Sequence, residues 1–335
     1  MEVTESKTNA SAVTLCIAGF RFSFEGERLV HFLTSMRAYA PFWDKLESAA
    51  TSPSSLTLSG RGLSSDEFDS AATPDFRIVA DLQPVQLPEK GFFATSYETV
   101  ECDFFKSGRD IFFRMVDSAS GAHLYERWTV GEKTVHITDT LTPSLCRYAL
   151  WTAVNFLLSG SLCHAVHSSA NVFPPSVTGL PNPVAVICLG ESGTGKSTHT
   201  SLMRQYCKDS FLLNDDSPFV RFDPESGRVM VYGSPWSGKT PCYKNECYPL
   251  YAVVRLSQAP HNRITRLSAI PSIAALLPSM PPVLGKIDEC NDGVCDLVSG
   301  IVNNVPVYHL ECLPDVDAAR LSVSTIFGKP VSNNR

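Results

Sequence analysis

Eight consecutive residues, Gly190-Glu191-Ser192-Gly193-Thr194-Gly195-Lys196-Ser197, fit the G-x-x-x-x-G-K-[ST] pattern of a phosphate-binding loop. Gly190, Gly193 and Gly195 allow successive backbone N–H groups, with those of Ser192 and Thr194, to turn inward around a phosphate chain. The first turn of a following helix, Lys196-Ser197-Thr198, adds unpaired donors to the same cavity. Lys196 supplies charge for the β- and γ-phosphate oxygens, and the Ser197 hydroxyl can reach magnesium. An apolar run, Val184-Ala185-Val186-Ile187-Cys188-Leu189, precedes the loop and a helix-forming segment follows it, which is the context the motif requires. A purely structural turn would have no use for a lysine followed by a hydroxyl. The chain offers no base-reading motif, so ATP and GTP are not distinguished.

Three further clusters carry chemistry. Asn214-Asp215-Asp216 follows the apolar Phe211-Leu212-Leu213, one helix and one return strand beyond Lys196. Two carboxylates at a strand end beside a phosphate loop can divide the work: one holds magnesium, the other takes the proton of an attacking hydroxyl. A solvated strand-to-turn junction is the alternative, weakened by the apolar residues that bury the strand up to the pair. The histidine of His167-Ser168-Ser169-Ala170-Asn171-Val172 is a metal ligand, a proton shuttle or a half-buried polar side chain, and residue type leaves these open. Finally, Tyr232-Gly233-Ser234-Pro235-Trp236-Ser237-Gly238-Lys239-Thr240-Pro241 is too rigid and chemically mixed for a plain linker. Lys239 can answer negative charge on a transferred phosphoryl group or an anionic acceptor. Trp236 can stack on a base or close a pocket; a packed surface loop is the plainer reading.

Taken in order, the histidine hexapeptide, the glycine loop and the paired aspartates resemble the nucleotide-binding half of ATP-dependent phosphoenolpyruvate carboxykinase. That family has a closely similar hexapeptide, a G-x-S-G-T-G-K-T loop and an aspartate pair. It shares its P-loop fold with HPr kinase/phosphorylase, a protein-serine kinase nearer to this chain in length. The resemblance covers roughly residues 160 to 260. It implies that Lys196 contacts the β/γ phosphates, that Ser197 and Asp216 bind the metal, and that Asp215 is the base. His167 takes the place of a transition-metal ligand, favouring manganese beside magnesium, or of a histidine beside the transferring phosphoryl group. The departures are specific. The carboxykinase's large N-terminal domain supplies arginine and lysine side chains for substrate carboxylates, and this chain has no counterpart. The stretch from Asn171 to Pro183 is longer than in either family, and could fold over the nucleotide or form a surface excursion. Thr198 stands where HPr kinase usually has a metal-site glutamate, which favours the carboxykinase-like arrangement.

The elements that must position these residues read as two portions. Residues 1–140 are β-rich. Strands are expected in short pieces over 12–35, then from Tyr97 to Phe105, Asp110 to Val116, His123 to Val130 and Lys133 to Ile137, with turns at Lys106-Ser107-Gly108-Arg109 and Gly131-Glu132. Residues 51–76, rich in Ser, Thr, Gly and Asp, read as an exposed loop or insertion. Residues 141–328 form the P-loop portion. A helix capped by Thr142 with Pro143 at its first position opens it, apolar enough to be packed on both sides, as a helix between the two portions would be. A helix from about Lys196 to Tyr206 follows the loop. Strands are expected at Phe211-Leu212-Leu213, Phe219 to Phe222, Val229 to Tyr232, Pro249 to Leu256 and Val305 to Leu310, with helices at Ile270 to Leu277 and Val316 to Ile326. Residues 329–335 are a polar tail. The fold class is α/β, in a mixed α+β arrangement: a carboxykinase/HPr-kinase-like P-loop domain behind a β-rich portion.

Composition narrows the partners. The chain has 335 residues, 44% hydrophobic and 19% charged, with 19 Phe as core material. A net charge of −6 argues against nonspecific binding to nucleic acid or anionic membrane. Eleven cysteines are irregularly spaced. The one close pair, Cys290 and Cys295, reads as part of an acidic, glycine-containing loop and has no histidine or second pair to complete a zinc site, so free thiols in a reducing compartment are expected. The first residues lack a basic segment leading into an apolar core and no long apolar run follows, so a cytoplasmic protein is expected. Homo-oligomerisation is left open. The residues point to an ATP- and Mg²⁺-dependent phosphotransferase acting on a hydroxyl of a small molecule or a protein serine. The alternatives are a nucleotide-binding regulatory protein without turnover, or a carboxykinase-type enzyme acting on a C3/C4 acid.

Overall fold

A computed structural model describes residues 11–44, 73–83 and 85–328. Most of the stretch 51–76 and the tail 329–335 lie outside the described residues. The structure has mixed α/β architecture and divides into two compact units between Leu157 and Leu158.

The first unit is built on eight strands: β1 (Ala12–Ile17), β2 (Phe20–Glu25), β3 (Phe76–Val79), β4 (Phe93–Tyr97), β5 (Val100–Ser107), β6 (Asp110–Asp117), β7 (His123–Thr129) and β8 (Thr134–Ile137). Their order is β1-β2-β3-β8-β7-β6-β5-β4. Only β2–β3 and β3–β8 are parallel; the rest is the expected antiparallel meander. The turn between β5 and β6 is tighter than expected: Ser107 pairs with Asp110, and Gly108 takes φ 59° between them.

Two differences from the sequence reading stand out here. Residues 27–35 are not strand but helix α1 (Glu27–Ser35), which buries Leu29, Val30 and Leu33 at helical spacing behind Gly26. The boundary expected at 140/141 falls instead after helix α2 (Pro143–Leu157), because α2 packs on β6, β7 and β8 and so belongs to the first unit. Thr142 Oγ1 accepts a hydrogen bond from Leu145 N at 3.3 Å, the cap foreseen for that helix. Phe156 of α2 stacks on Trp128 of β7 at 5.1 Å.

The second unit carries the motifs. Its strands are β9 (Cys163–Ala165), β10 (Ser168–Phe173), β11 (Val184–Leu189), β12 (Phe211–Asp216), β13 (Phe219–Asp223), β14 (Arg228–Tyr232), β15 (Cys247–Gln258), β16 (Arg263–Arg266) and β17 (Val307–Cys312). The order is β12-β10-β11-β15-β14-β13-β9, with β17 beside β15 and β16 beyond it. All six residues of β11 are buried, and at about 1.5–3 kcal/mol for each large aliphatic this strand is a principal anchor of the unit. β11 runs antiparallel to β10 and parallel to β15.

The helices are α3 (Pro175–Thr178), α4 (Lys196–Tyr206), α5 (Ala269–Leu276), α6 (Asp288–Asn304) and α7 (Val316–Phe327). Helix α6 corrects the reading of Cys290 and Cys295 as part of a loop. It buries Cys290, Val294, Leu297, Val298 and Ile301 on one face, while Cys295 is exposed. Five residues apart on a helix, the two thiols point in different directions and do not share a site. All eleven cysteines are free. The stretch from Asn171 is not one long loop either: it completes β10 and then forms α3 before Pro183. Among the described residues no helix is long and apolar enough to cross a membrane.

Candidate functional site

The glycine loop has the backbone its residues suggested. Gly190, Gly193 and Gly195 take φ of 155°, 81° and 100°, a region that side chains other than glycine avoid. At Gly190 a Cβ would also stand 2.4 Å from Thr194 Oγ1. Thr194 closes the turn by donating its amide and hydroxyl to Glu191 O, at 3.2 and 2.7 Å. Helix α4 begins at Lys196 behind Gly195, and no side chain caps it. The first-turn N–H groups therefore have no intrahelical acceptor and, with the helix dipole, favour an anion at this end.

Lys196 lies over the loop. Its Nζ donates to Gly190 O at 2.8 Å and to Glu191 O at 3.3 Å. Burial lowers its pKa, against the opposing fields of Asp216, Glu191 and Asp215. Two neutral carbonyls are weaker partners for an ammonium than phosphate oxygens would be.

Sheet pairing brings the other two motifs to the same end of the sheet. Ser168, at the start of β10, pairs with Leu189 at the end of β11 and with Asp216 at the end of β12. His167, the residue before that start, donates its backbone N–H to Ser279 O at 2.8 Å. The aspartates then part. Asp215 is 3% exposed and accepts a 2.9 Å hydrogen bond from Ser197 Oγ through Oδ1, while its buried Oδ2 has no hydrogen-bond partner. Asp216 is half-buried, with Oδ1 3.7 Å from His167 Nε2. That is longer than a hydrogen bond, so the two are neighbours facing the same partly open space. Burial lowers the His167 pKa, aided by Lys196 and opposed by Asp216 and Glu191. The net shift favours the neutral ring, with a basic nitrogen available. Asp216 has φ 139°, a strained conformation of the kind found at functional positions.

The segment from Tyr232 to Pro241 does reach the carboxylates. Ser237 bridges to Asp216, and Gly238 N donates to Asp215 O. A Cβ at Gly238 would meet Asp215 O at 3.0 Å and Asp216 Cβ at 3.3 Å. Lys239, the next residue, is exposed. Trp236 is 2% exposed and packs against Phe219, in keeping with a packed loop. Asn214 is the anchor of this loop. Its Nδ2 donates to Ser234 Oγ at 3.2 Å and Trp236 O at 3.0 Å, and its Oδ1 accepts from Ser217 N at 2.9 Å.

A brace that sequence reading missed lies beneath the site. Ser169 Oγ and Thr200 Oγ1 are 3.0 Å apart, Asn171 Nδ2 donates to Thr200 O at 2.8 Å, and Arg204 Nη1 donates to Asn171 Oδ1 at 2.7 Å. These bonds fix α4, and with it Lys196 and Ser197, to β10. No spacing rule links Asn171 to Arg204; the polar residues of the hexapeptide were the available signal.

For a metal, the residues group differently from the expected Ser197, Asp216 and His167. The hydroxyl of Ser197 is bonded to Asp215, and among the described residues no three His, Cys, Asp or Glu side chains gather into a metal cluster. The all-oxygen pair of Ser197 and Asp215, with one buried carboxylate oxygen lacking a partner, has the hard-donor character that suits magnesium. No family model and no curated protein matches this chain.

Proposed function

We propose that the chain is an ATP-dependent phosphotransferase that moves the γ-phosphoryl group to a hydroxyl, in keeping with its resemblance to the carboxykinase and HPr kinase P-loop families. The observation that carries this reading is the convergence, at one sheet end, of an uncapped helix N-terminus with Lys196, a buried carboxylate bonded to Ser197, and a more open His167–Asp216 pair. A turn that merely connects β11 to α4 needs none of the last three.

The geometry supports a division of labour opposite to the one the resemblance implies for the aspartates. Asp215 is 3% exposed and bonded to Ser197, which makes it less accessible to an incoming hydroxyl than Asp216. Asp216 and His167 face the open side and can accept the acceptor's proton. Lys196 and the loop N–H groups hold the phosphates, and the exposed Lys239 is the nearest further cation in sequence to the Asp216–Ser237 bridge. Ser197 and Asp215 are the residues that would hold magnesium, which when bound neutralises charge on the β/γ phosphates. Catalysis of this kind is positioning and electrostatics, so few residues need to react.

The test is ADP release from ATP with panels of small hydroxyl compounds and serine-containing proteins, wild type against Asp216→Asn. Turnover that depends on an acceptor and falls about 10²–10⁴-fold in the variant supports the reading. A wild type that binds ATP and turns over none of the acceptors favours a regulatory nucleotide-binding protein.

A further inference from the structure

A cleft of about 380 Å³ opens on the side of the glycine loop away from the aspartates. The acidic residues lie on the β10 and β12 side of β11. The cleft lies on the β15 and β17 side, walled by the loop tip and by Arg255, Ser257, Gln258 and His309. We propose that it takes the nucleoside, base and sugar together, of the nucleotide whose phosphates the loop holds; this rests on the phosphotransfer reading above.

Direction and chemistry both lead there. Lys196, Ser197 and the His167–Asp216 pair fix the reacting end of the phosphate chain on one side of β11. A chain laid along the loop then leaves its nucleoside on the other side, outside the carboxyl ends of the parallel strands β11, β15 and β17. The cleft is also neutral. Its one full cation, Arg255, is matched by Glu191 at 2.7 Å and held by Ala275 O at 3.0 Å. A phosphate or carboxylate would find no unmatched charge among these walls. What the walls offer is hydrogen bonding of both senses. The Ser257 hydroxyl and His309 Nε2 are 2.9 Å apart, and the Gln258 amide is turned to the loop by its 3.2 Å bond to Gly193 O. Such groups suit the edge of a base or the hydroxyls of a sugar, and the volume is that of a small-molecule site, about 300–1,000 Å³. Because Gln258 holds the loop tip, the same contact links occupancy of the cleft to the phosphate-binding backbone.

The experiment compares MgATP with inorganic tripolyphosphate, which has the phosphates and no nucleoside, by calorimetry on the full chain. The Ser257→Ala/His309→Ala double variant, which leaves the Gln258–Gly193 contact in place, is expected to lose about tenfold or more in ATP affinity while binding tripolyphosphate as wild type does. Unchanged ATP affinity, or an equal loss for both ligands, overturns the assignment. A Lys196→Ala variant should weaken both ligands. If wild type binds neither, the phosphate-loop reading itself falls, and the cleft with it. Photolabelling of the unmutated protein with 8-azido-ATP gives a readout independent of any variant's folding. Adducts on the peptides holding residues 255–258 or 309 support the proposal, and adducts confined elsewhere overturn it.

Discussion

Ser197 Oγ donates a 2.9 Å hydrogen bond to Asp215 Oδ1, joining the first turn of α4 to the end of β12 across the intervening strand β10. One neighbour further along, Asp216 is turned out toward His167. Alternate residues of a strand point to opposite faces, so adjacent carboxylates with different surroundings follow directly from the strand on which they sit.

The backbone at Asp216 separates conformational cost from chemistry. Its φ of 139° costs a non-glycine residue about 1–3 kcal/mol. Asp216→Gly and Asp216→Ala both remove the carboxylate, yet only glycine relieves the strain. Urea unfolding should therefore show Asp216→Gly more stable than Asp216→Ala by about 1 kcal/mol, with turnover lost in both. Equal stabilities would show that the surrounding structure, not the residue, sets this conformation at no cost.

The glycine loop gives a second contrast. Gly190 has φ 155°, and an added Cβ would lie 2.4 Å from Thr194 Oγ1. At Gly160 an added Cβ would meet nothing within 4 Å. Gly190→Ala is expected to abolish measurable ATP binding by calorimetry, and Gly160→Ala to leave it within about twofold of wild type. Wild-type affinity in Gly190→Ala would mean that the loop does not need the shape seen here.

A pH effect should arise in the first unit, away from the motifs. Glu126 on β7 is 1% exposed, neither of its carboxylate oxygens has a hydrogen-bond partner, and burial raises its pKa well above the ordinary 4.5. In the unfolded chain Glu126 ionises from about pH 4.5 upward, while the folded unit keeps the proton. The stability associated with that proton is full below about pH 4.5 and falls as pH rises toward the folded pKa, by up to about 1.4 kcal/mol per unit. Glu126→Gln removes this slope. Its stability relative to wild type should grow by at least about 1 kcal/mol between pH 5 and pH 8 in urea melts followed by tryptophan fluorescence. Parallel curves for the two proteins would contradict the assignment.

Much of the second unit was legible because its signals are local. A glycine pattern specifies a backbone, an apolar run specifies β11, and Lys196 to Tyr206 reads as one helix. The same reasoning missed α6, where Gly293 and several acidic residues resemble a loop while the buried face is carried by residues as far apart as Cys290 and Ile301. Gly293 itself is a packing residue, since a Cβ there would stand 2.3 Å from Ser159 O. Residue type left Trp236 open between a ligand-facing aromatic and a packed loop, because burial is decided by partners distant in sequence, here Phe219 and the loop anchored by Asn214. The different surroundings of the two aspartates were illegible for a related reason. Their difference lies in which one meets Ser197, and that depends on the register of β12 against β10, including a shift between Ala170 and Asn171 that no local pattern shows.

The most direct test of the site is the magnesium dependence of ATP affinity, measured by calorimetry for wild type, Asp215→Asn and Asp216→Asn; it needs no knowledge of the acceptor. The geometry predicts that magnesium tightens ATP binding in wild type and in Asp216→Asn, and that Asp215→Asn loses this enhancement because Asp215 is the carboxylate joined to Ser197. Loss of the enhancement in Asp216→Asn with its retention in Asp215→Asn would reverse the two roles, and a wild type that binds no ATP with or without magnesium would contradict the phosphotransferase account as a whole.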